Sequence, residues 1–289
     1  MKHKLSLILV TCFTVAALAC NLTGSTTEGN NEATQAPTEP AEELITPPEP
    51  ETALRVTDGM EMVQIPAGEF LMGDDMSAFA PEKPAHLVTL DTYWIDRYEV
   101  TNAQYRQCMK AERCPEPTLW WNEELNGDMQ PVLVPWESAK AYCAWAGARL
   151  PTEAEWEKAI RGIDGRTWPW GNEFEPNRAN LSGDEDGYGP TSPVGSFPGD
   201  ISPYGLLDAA GNAGEWVTDW FAADYYAQSP ARNPTGPASG EQRVHRAPIS
   251  NAGGGPEKSR CTARYGADPN WDYGFRCVSD TIPESQTVE

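Results

Sequence analysis

Histidine is scarce, with three in 289 residues. His3 falls in an N-terminal leader, which leaves His86 and His245. A two-histidine, one-carboxylate iron site needs clustered histidines, so that chemistry finds no support. Basic residues are also few. The chain has 21 Lys and Arg against 43 Asp and Glu, for a formal charge of −22. This balance argues against nucleic acid or an anionic membrane surface as a partner. It favours solubility and cations without naming a ligand. No Ser-His-Asp order, Walker loop or dinucleotide fingerprint appears. Gly253-Gly254-Gly255 lacks the flanking strand and helix of a phosphate cradle and reads as a flexible turn. No internal repeat is evident.

Long apolar runs are missing too. Lys2, His3 and Lys4 precede an apolar stretch over residues 5–19, too short to span a bilayer comfortably, which reads as an export signal. Ala17-Leu18-Ala19-Cys20 fits a lipoprotein signal with a lipid-bearing Cys20. It also fits an ordinary A-x-A site that leaves Cys20 free. An unpartnered secreted thiol is the odder outcome, so a lipid anchor on Cys20 is expected, with residues 1–20 as the signal. Two acyl chains anchor stably where one does not. The protein is then expected on the outer face of a bacterial membrane, periplasmic or at the cell surface, touching lipid through the anchor alone. Residues 21–55 are poor in large apolar side chains and cannot bury enough surface to fold. Pro37, Pro40, Pro47, Pro48 and Pro50 stiffen them into a spacer. A tether and a leader without a role fit this composition equally. Residues 56–280 are expected to form one domain with a sizeable core, and residues 281–289 a loose polar tail.

The strongest local pattern lies between Trp136 and Gly162. Ala139, Tyr142, Cys143 and Ala146 share one helical face, and Gly147 follows as a stop. Thr152-Glu153-Ala154-Glu155 is a capping box opening a second helix that buries Trp156, Ala159 and Ile160. Upstream, Met62-Val63-Gln64-Ile65 reads as a strand with Phe70-Leu71-Met72-Gly73 as its partner. Leu87-Val88-Thr89-Leu90 and Tyr93-Trp94-Ile95 follow as further strands. Thr101 caps a helix running to about Met109. Cys108 and Cys114, six residues apart, suit a local disulfide in an exported protein. Trp120-Trp121 lies in a polar loop, where sugar or peptide binding competes with plain packing, the expected role. Beyond Gly162 the chain is rich in Gly, Pro, Asn and Asp, and Tyr273-Gly274-Phe275-Arg276-Cys277-Val278 reads as a final strand.

Several of these stretches together resemble the formylglycine-generating enzyme (sulfatase-modifying factor) family. Tyr142-Cys143, Trp145-Ala146-Gly147 and Arg149-Leu150-Pro151-Thr152-Glu153-Ala154-Glu155-Trp156-Glu157 look like its signature. Pro66-Ala67-Gly68, Tyr98-Glu99-Val100-Thr101-Asn102, Trp170-Gly171-Asn172 and Gly274-Phe275-Arg276-Cys277 extend the likeness over roughly residues 60–279. The resemblance implies an α+β, formylglycine-generating-enzyme-like single domain, related to the C-type lectin fold, with little regular secondary structure.

The resemblance also implies particular residues. Two calcium sites match position by position: Asn180, Leu181, Asp186 and Tyr188 in the first, Asp208, Gly211, Ala213 and Glu215 in the second. Leu181, Tyr188, Gly211 and Ala213 would contribute carbonyls, and such oxygen-only sets suit calcium. Gly214 stands where the family usually has Trp. A long-range disulfide is implied between Cys143 and Cys277. The family's catalytic feature is a cysteine pair that binds copper(I), for which soft thiolates are suited. Residues 246–260 contain no cysteine. Cys261 aligns with a structural cysteine whose usual partner position holds Ile160. Copper is therefore not expected, and the chain reads as a binding or structural domain for a protein, peptide or glycan ligand. The rivals are a formylglycine-generating oxidase of variant mechanism acting on a sulfatase cysteine, and a C-type-lectin-like display protein diversified near its C terminus.

Overall fold

Short strands and three α-helices carry the described residues, separated by long irregular stretches. The computed structural model describes residues 50–181, 187–247 and 256–282. Within them, β1 (Thr52–Leu54), β2 (Glu61–Ile65), β5 (Tyr93–Asp96) and β9 (Val278–Ser279) form an antiparallel sheet in the order β1-β2-β5-β9. β3 (Gly68–Met72) and β4 (His86–Leu90) make a separate two-stranded ribbon. A third sheet orders β6 (Glu215–Trp220), β7 (Arg243–Arg246) and β8 (Arg264–Ala267), all antiparallel. The helices are α1 (Asn102–Lys110), α2 (Trp136–Trp145) and α3 (Glu153–Arg161).

The Thr152 capping box and the Thr101 cap form as the sequence predicts, and the structure shows that the Thr101 cap is a capping box as well. Thr101 and Gln104 satisfy each other's backbone amides at α1, and Thr152 and Glu155 do so at α3. Gly147 ends the α2 region at φ 78°, a left-handed conformation that favours glycine. Every residue of α3 is buried, so it is the central element and not a surface helix. Two apolar clusters form the core, and the first includes the α3 side chains. One joins Val63, Phe70, Val88, Ile95, Trp156, Ile160 and Cys261; the other joins Trp94, Val100, Tyr142, Trp216 and Phe275 around the Cys143–Cys277 bridge. That disulfide and Cys108–Cys114 are both present, with Cα–Cα distances of 5.6 and 5.4 Å. The longer one links residues 134 apart, worth about 5 kcal/mol in the loop-entropy account. The two bridges fit an oxidising compartment.

Three sequence expectations need correction. Strands β2 and β3 do not pair with each other. β2 lies between β1 and β5, while β3 pairs with β4, placing Phe70 opposite Val88 and Leu71 opposite Leu87. Periodicity identifies a strand but not its partner. The turn between them is redirected where Lys158 Nζ donates to the carbonyls of Pro66 (2.7 Å) and Gly68 (3.0 Å). The folded part also begins before residue 56. β1 pairs with β2, and Arg55 is buried between Asp58 (2.6 Å) and Asp96 (2.7 Å). Finally, the predicted last strand is regular only at Val278–Ser279. The carbonyls of Tyr273, Gly274, Phe275 and Cys277 each accept from a different partner: Val134, Trp216, Val100 and Asp96. That segment threads between elements and joins no one ladder.

Candidate functional site

Glu153 opens α3 and is buried, yet it is more than a helix-start residue. Its Oε1 accepts from Arg246 Nη1 (2.8 Å) and Arg264 Nε (2.6 Å), and its Oε2 from Arg264 Nη2 (2.8 Å). One turn on, Glu157 Oε2 accepts from Arg246 Nη2 (2.9 Å), and Glu157 Oε1 from Arg161 (3.2 Å). Arg246 and Arg264 stand opposite each other in the β7–β8 ladder. Between them in the chain lie residues 247–260, where the resemblance would put a catalytic cysteine pair. Arg260, near the end of that stretch, is held by Glu82 at 2.8 and 2.9 Å. Burial alone would raise the pKa of Glu153, but Arg264 and Arg246 outweigh it and hold the carboxyl below its ordinary value. Neighbouring Asp219 moves the other way, pushed well up by burial and by the charge of Glu153.

Trp156 connects this network to a second one. Arg246 lies over its indole, 4.9 Å from the ring centroid, and its Nε1 donates to Glu215 Oε2 (2.7 Å). Glu215 is also clasped by Arg276 through Nε (2.8 and 2.9 Å) and Nη2 (2.6 Å). Three further buried carboxylates share Arg276 as counter-charge: Glu99, Asp200 and Asp208. Burial pushes Glu99 far up, with the charges of Asp208 and Glu215 adding; it moves Asp200 to about 8 and Asp208 to about 6.

This is where the sequence places its second calcium site. Asp208 sits at φ 53° with Oδ2 accepting from Gly195 N (2.7 Å), and Gly211 and Ala213 follow in the same irregular segment. Among the described residues no three Asp, Glu, His or Cys side chains converge as a metal cage. The expected set needs only two carboxylates plus carbonyls, and the excess of buried carboxylates over guanidinium suits a hard divalent cation. Sequence reading missed Glu99, which accepts from Ala213 N (2.8 Å) and Asn212 Nδ2 (2.6 Å), and Asp200, which accepts from Ala210 N (3.0 Å). The available signal was the Tyr98-Glu99-Val100-Thr101-Asn102 stretch. Of the first site, Asn180 and Leu181 are buried and Tyr188 is exposed, while Asp186 lies outside the described residues. The Asn180 carbonyl accepts from Asn212 N (2.8 Å), which ties the two loops together.

Gly253-Gly254-Gly255 and Cys20 lie outside the described residues. Cys261 is buried in the same apolar cluster as Ile160, and burial pushes its thiol well above the usual range. A Cβ on Gly214 would come within 2.9 Å of Tyr273 Cδ1, so the tyrosine fills the room beside that glycine. Tyr273 in turn stacks on His245 at 4.1 Å. Burial lowers the His245 pKa to about 3, with the Arg246 charge contributing and a hydrogen bond with the Ala247 backbone opposing. His86 packs edge-on against Tyr226 at 4.9 Å, in keeping with a structural role. Trp120 and Trp121 do not pack: they are 55 and 66% exposed.

The three small sheets, the buried α3 and the long-range bridge define an α+β domain of the formylglycine-generating-enzyme type. The sulfatase-modifying factor enzyme 1-like domain matches residues 47–281, and the chain belongs to that family. It is 34% identical to the formylglycine-generating enzyme of Streptomyces coelicolor, over 80% of this chain and 93% of that protein. It is also 34% identical to the inactive C-alpha-formylglycine-generating enzyme 2 of Bos taurus, over 76% and 88% respectively. Among solved structures it is similar to PvdO from Pseudomonas aeruginosa, with 30% identity and a TM-score of 0.68 over 79% of this chain and 97% of that one. Treponema denticola variable protein 1 shares the fold, with 24% identity and a TM-score of 0.65 over 82 and 100%.

Proposed function

We propose that this family member is an exported, lipid-anchored domain that binds a ligand and does not oxidise a cysteine. One observation carries the reading. Residues 246–260 hold no cysteine, and the one unpaired thiol among the described residues, Cys261, is a core side chain whose burial disfavours the thiolate. A copper(I) site wants two thiolates close together. Cys143 and Cys277 are consumed by their bridge. Overall identity does not decide the matter, because relatives named as active and as inactive are equally similar. Calcium is proposed at Asp208, Glu215 and the carbonyls of Gly211 and Ala213, as a structural ion that offsets buried negative charge. The ligand, a protein, peptide or glycan, is expected to engage residues 247–260.

The test is mass spectrometry of a sulfatase-type peptide incubated with the purified, copper-loaded protein and oxygen. The peptide cysteine is expected to stay intact. Its conversion to formylglycine, dependent on copper and lost in Cys261→Ala, would refute the reading. The anchor is checked separately: wild-type protein should fractionate with membranes and Cys20→Ala should be released. A soluble wild type with an unmodified N terminus would rule the anchor out.

A further inference from the structure

We propose that the cavity beside Trp120 is a saccharide-binding subsite that seats a pyranose ring against the indole. The cavity measures about 380 Å³ and lies between α1 and the loop that follows it. Arg106 and Met109 line it from α1; Glu116, Trp120 and Asn126 line it from the loop. Its volume falls at the small end of the range, about 300–1,000 Å³, in which small ligands are held. It shares no lining residue with the 247–260 stretch. The inference goes beyond the binding reading given above and concerns a separate surface.

The loop is held firmly for a segment without regular structure. The Cys108–Cys114 bridge closes its base, and Tyr105 donates to the Pro115 carbonyl (3.1 Å). Asn102 Nδ2 donates to the carbonyls of Leu125 (2.9 Å) and Gly127 (3.1 Å), and Asn126 Nδ2 to that of Trp120 itself (2.8 Å). Thr118 reaches across to Asp272 (2.5 Å). An indole kept in water forgoes the burial that ordinarily stabilises it. Fixing it there in advance, however, removes the ordering cost that a ligand would otherwise meet.

The chemistry around the ring selects the ligand class. A flat apolar face bordered by polar groups matches a sugar, whose axial C–H bonds pack on the ring while its hydroxyls point to the rim. Neither the Glu116 carboxylate nor Trp120 Nε1 has a hydrogen-bond partner among the described residues, so an acceptor and a donor remain free at the cavity. No strand lines the cavity, which removes the edge that an extended peptide would extend by pairing. Free carboxylate and a strongly acidic chain disfavour an anion.

The experiment presents the purified full chain to a glycan array. Hits, with cellotetraose and chitotetraose as defined probes, are then titrated by tryptophan fluorescence and calorimetry. Saccharide binding by the wild type is expected, weakened at least about tenfold in Trp120→Ala and in Glu116→Gln. Trp121→Ala, which alters an exposed tryptophan outside the cavity, should bind like wild type. Unchanged melting curves would separate lost contact from misfolding. No saccharide binding on the array, or binding indifferent to Trp120→Ala, overturns the proposal. Formylglycine formation in the peptide assay would refute the non-catalytic reading and leave this subsite standing.

Discussion

Replacing Glu153 by glutamine removes one negative charge from between two buried guanidiniums while keeping nearly the same shape. In the native protein its two oxygens take three hydrogen bonds from Arg246 and Arg264, whose side chains have no exposed surface. Glutamine would keep one acceptor and turn the other into a donor facing a cation. Arg246 retains Glu157, but Arg264 is left with the carbonyls of Pro81 and Ala222. Breaking a buried pair on one side costs about 3–5 kcal/mol. For a domain of this size that corresponds to roughly 6–20 °C in Tm. The pH dependence gives a second readout. Because the folded pKa of Glu153 lies below its ordinary 4.5, the pair's stabilisation is present above about pH 4.5. It fades as acid protonates the carboxyl toward its folded pKa. Melting of wild type and Glu153→Gln by calorimetry between pH 3 and 7 should show a gap that narrows below about pH 4.5. A Tm loss under about 3 °C at pH 7, or a gap that widens in acid, would refute this account of α3.

Two further outcomes follow from other parts of the molecule. Chelation should lower the Tm if calcium offsets the carboxylates around Asp208, since a ligand bound only to the native state adds about 2.7 kcal/mol at a hundredfold excess over its Kd. Asp208→Gly, which suits the positive φ and removes the carboxylate, should abolish that response, whereas an unchanged wild-type melt with chelator would mean that the loop is only a turn. His245, whose pKa is lowered to about 3, is neutral when folded and protonates more readily when unfolded. Its contribution is therefore present above pH 6.5 and lost as pH falls from 6.5 toward 3, at up to about 1.4 kcal/mol per pH unit. His245→Phe should flatten that part of the stability profile relative to wild type between pH 6.5 and 5, and parallel profiles would contradict the assignment.

What could be read from the sequence was what neighbouring residues decide. The capping box at Thr152, the cap at Thr101 and the stop at Gly147 depend on residues close in the chain, and all appear where expected. What escaped depends on residues distant in the chain. Glu99 reaches Ala213 across 114 positions, and nothing near Glu99 announces a partner so remote. β1 looks like part of a proline-rich spacer until its register against β2, Thr52 opposite Val63, turns it into an edge strand. The exposure of Trp120 and Trp121 was illegible for the opposite reason: aromatic residues signal burial, and only the tertiary structure reveals that more than half of each stays exposed. Cys143–Cys277 was visible only through likeness to a family, because spacing alone cannot choose a partner 134 residues away.

The opposed arginines at the end of the β7–β8 ladder have one more consequence. Arg246 is fixed by Glu153 and Glu157, and Arg260 by Glu82, so the chain enters and leaves the intervening stretch from anchored points. With its ends already fixed, a longer stretch there would cost only loop-closure entropy, about 0.6 kcal/mol for each doubling in length. An insertion between Arg246 and Arg260 is therefore expected to leave α3 and the β7–β8 ladder in place.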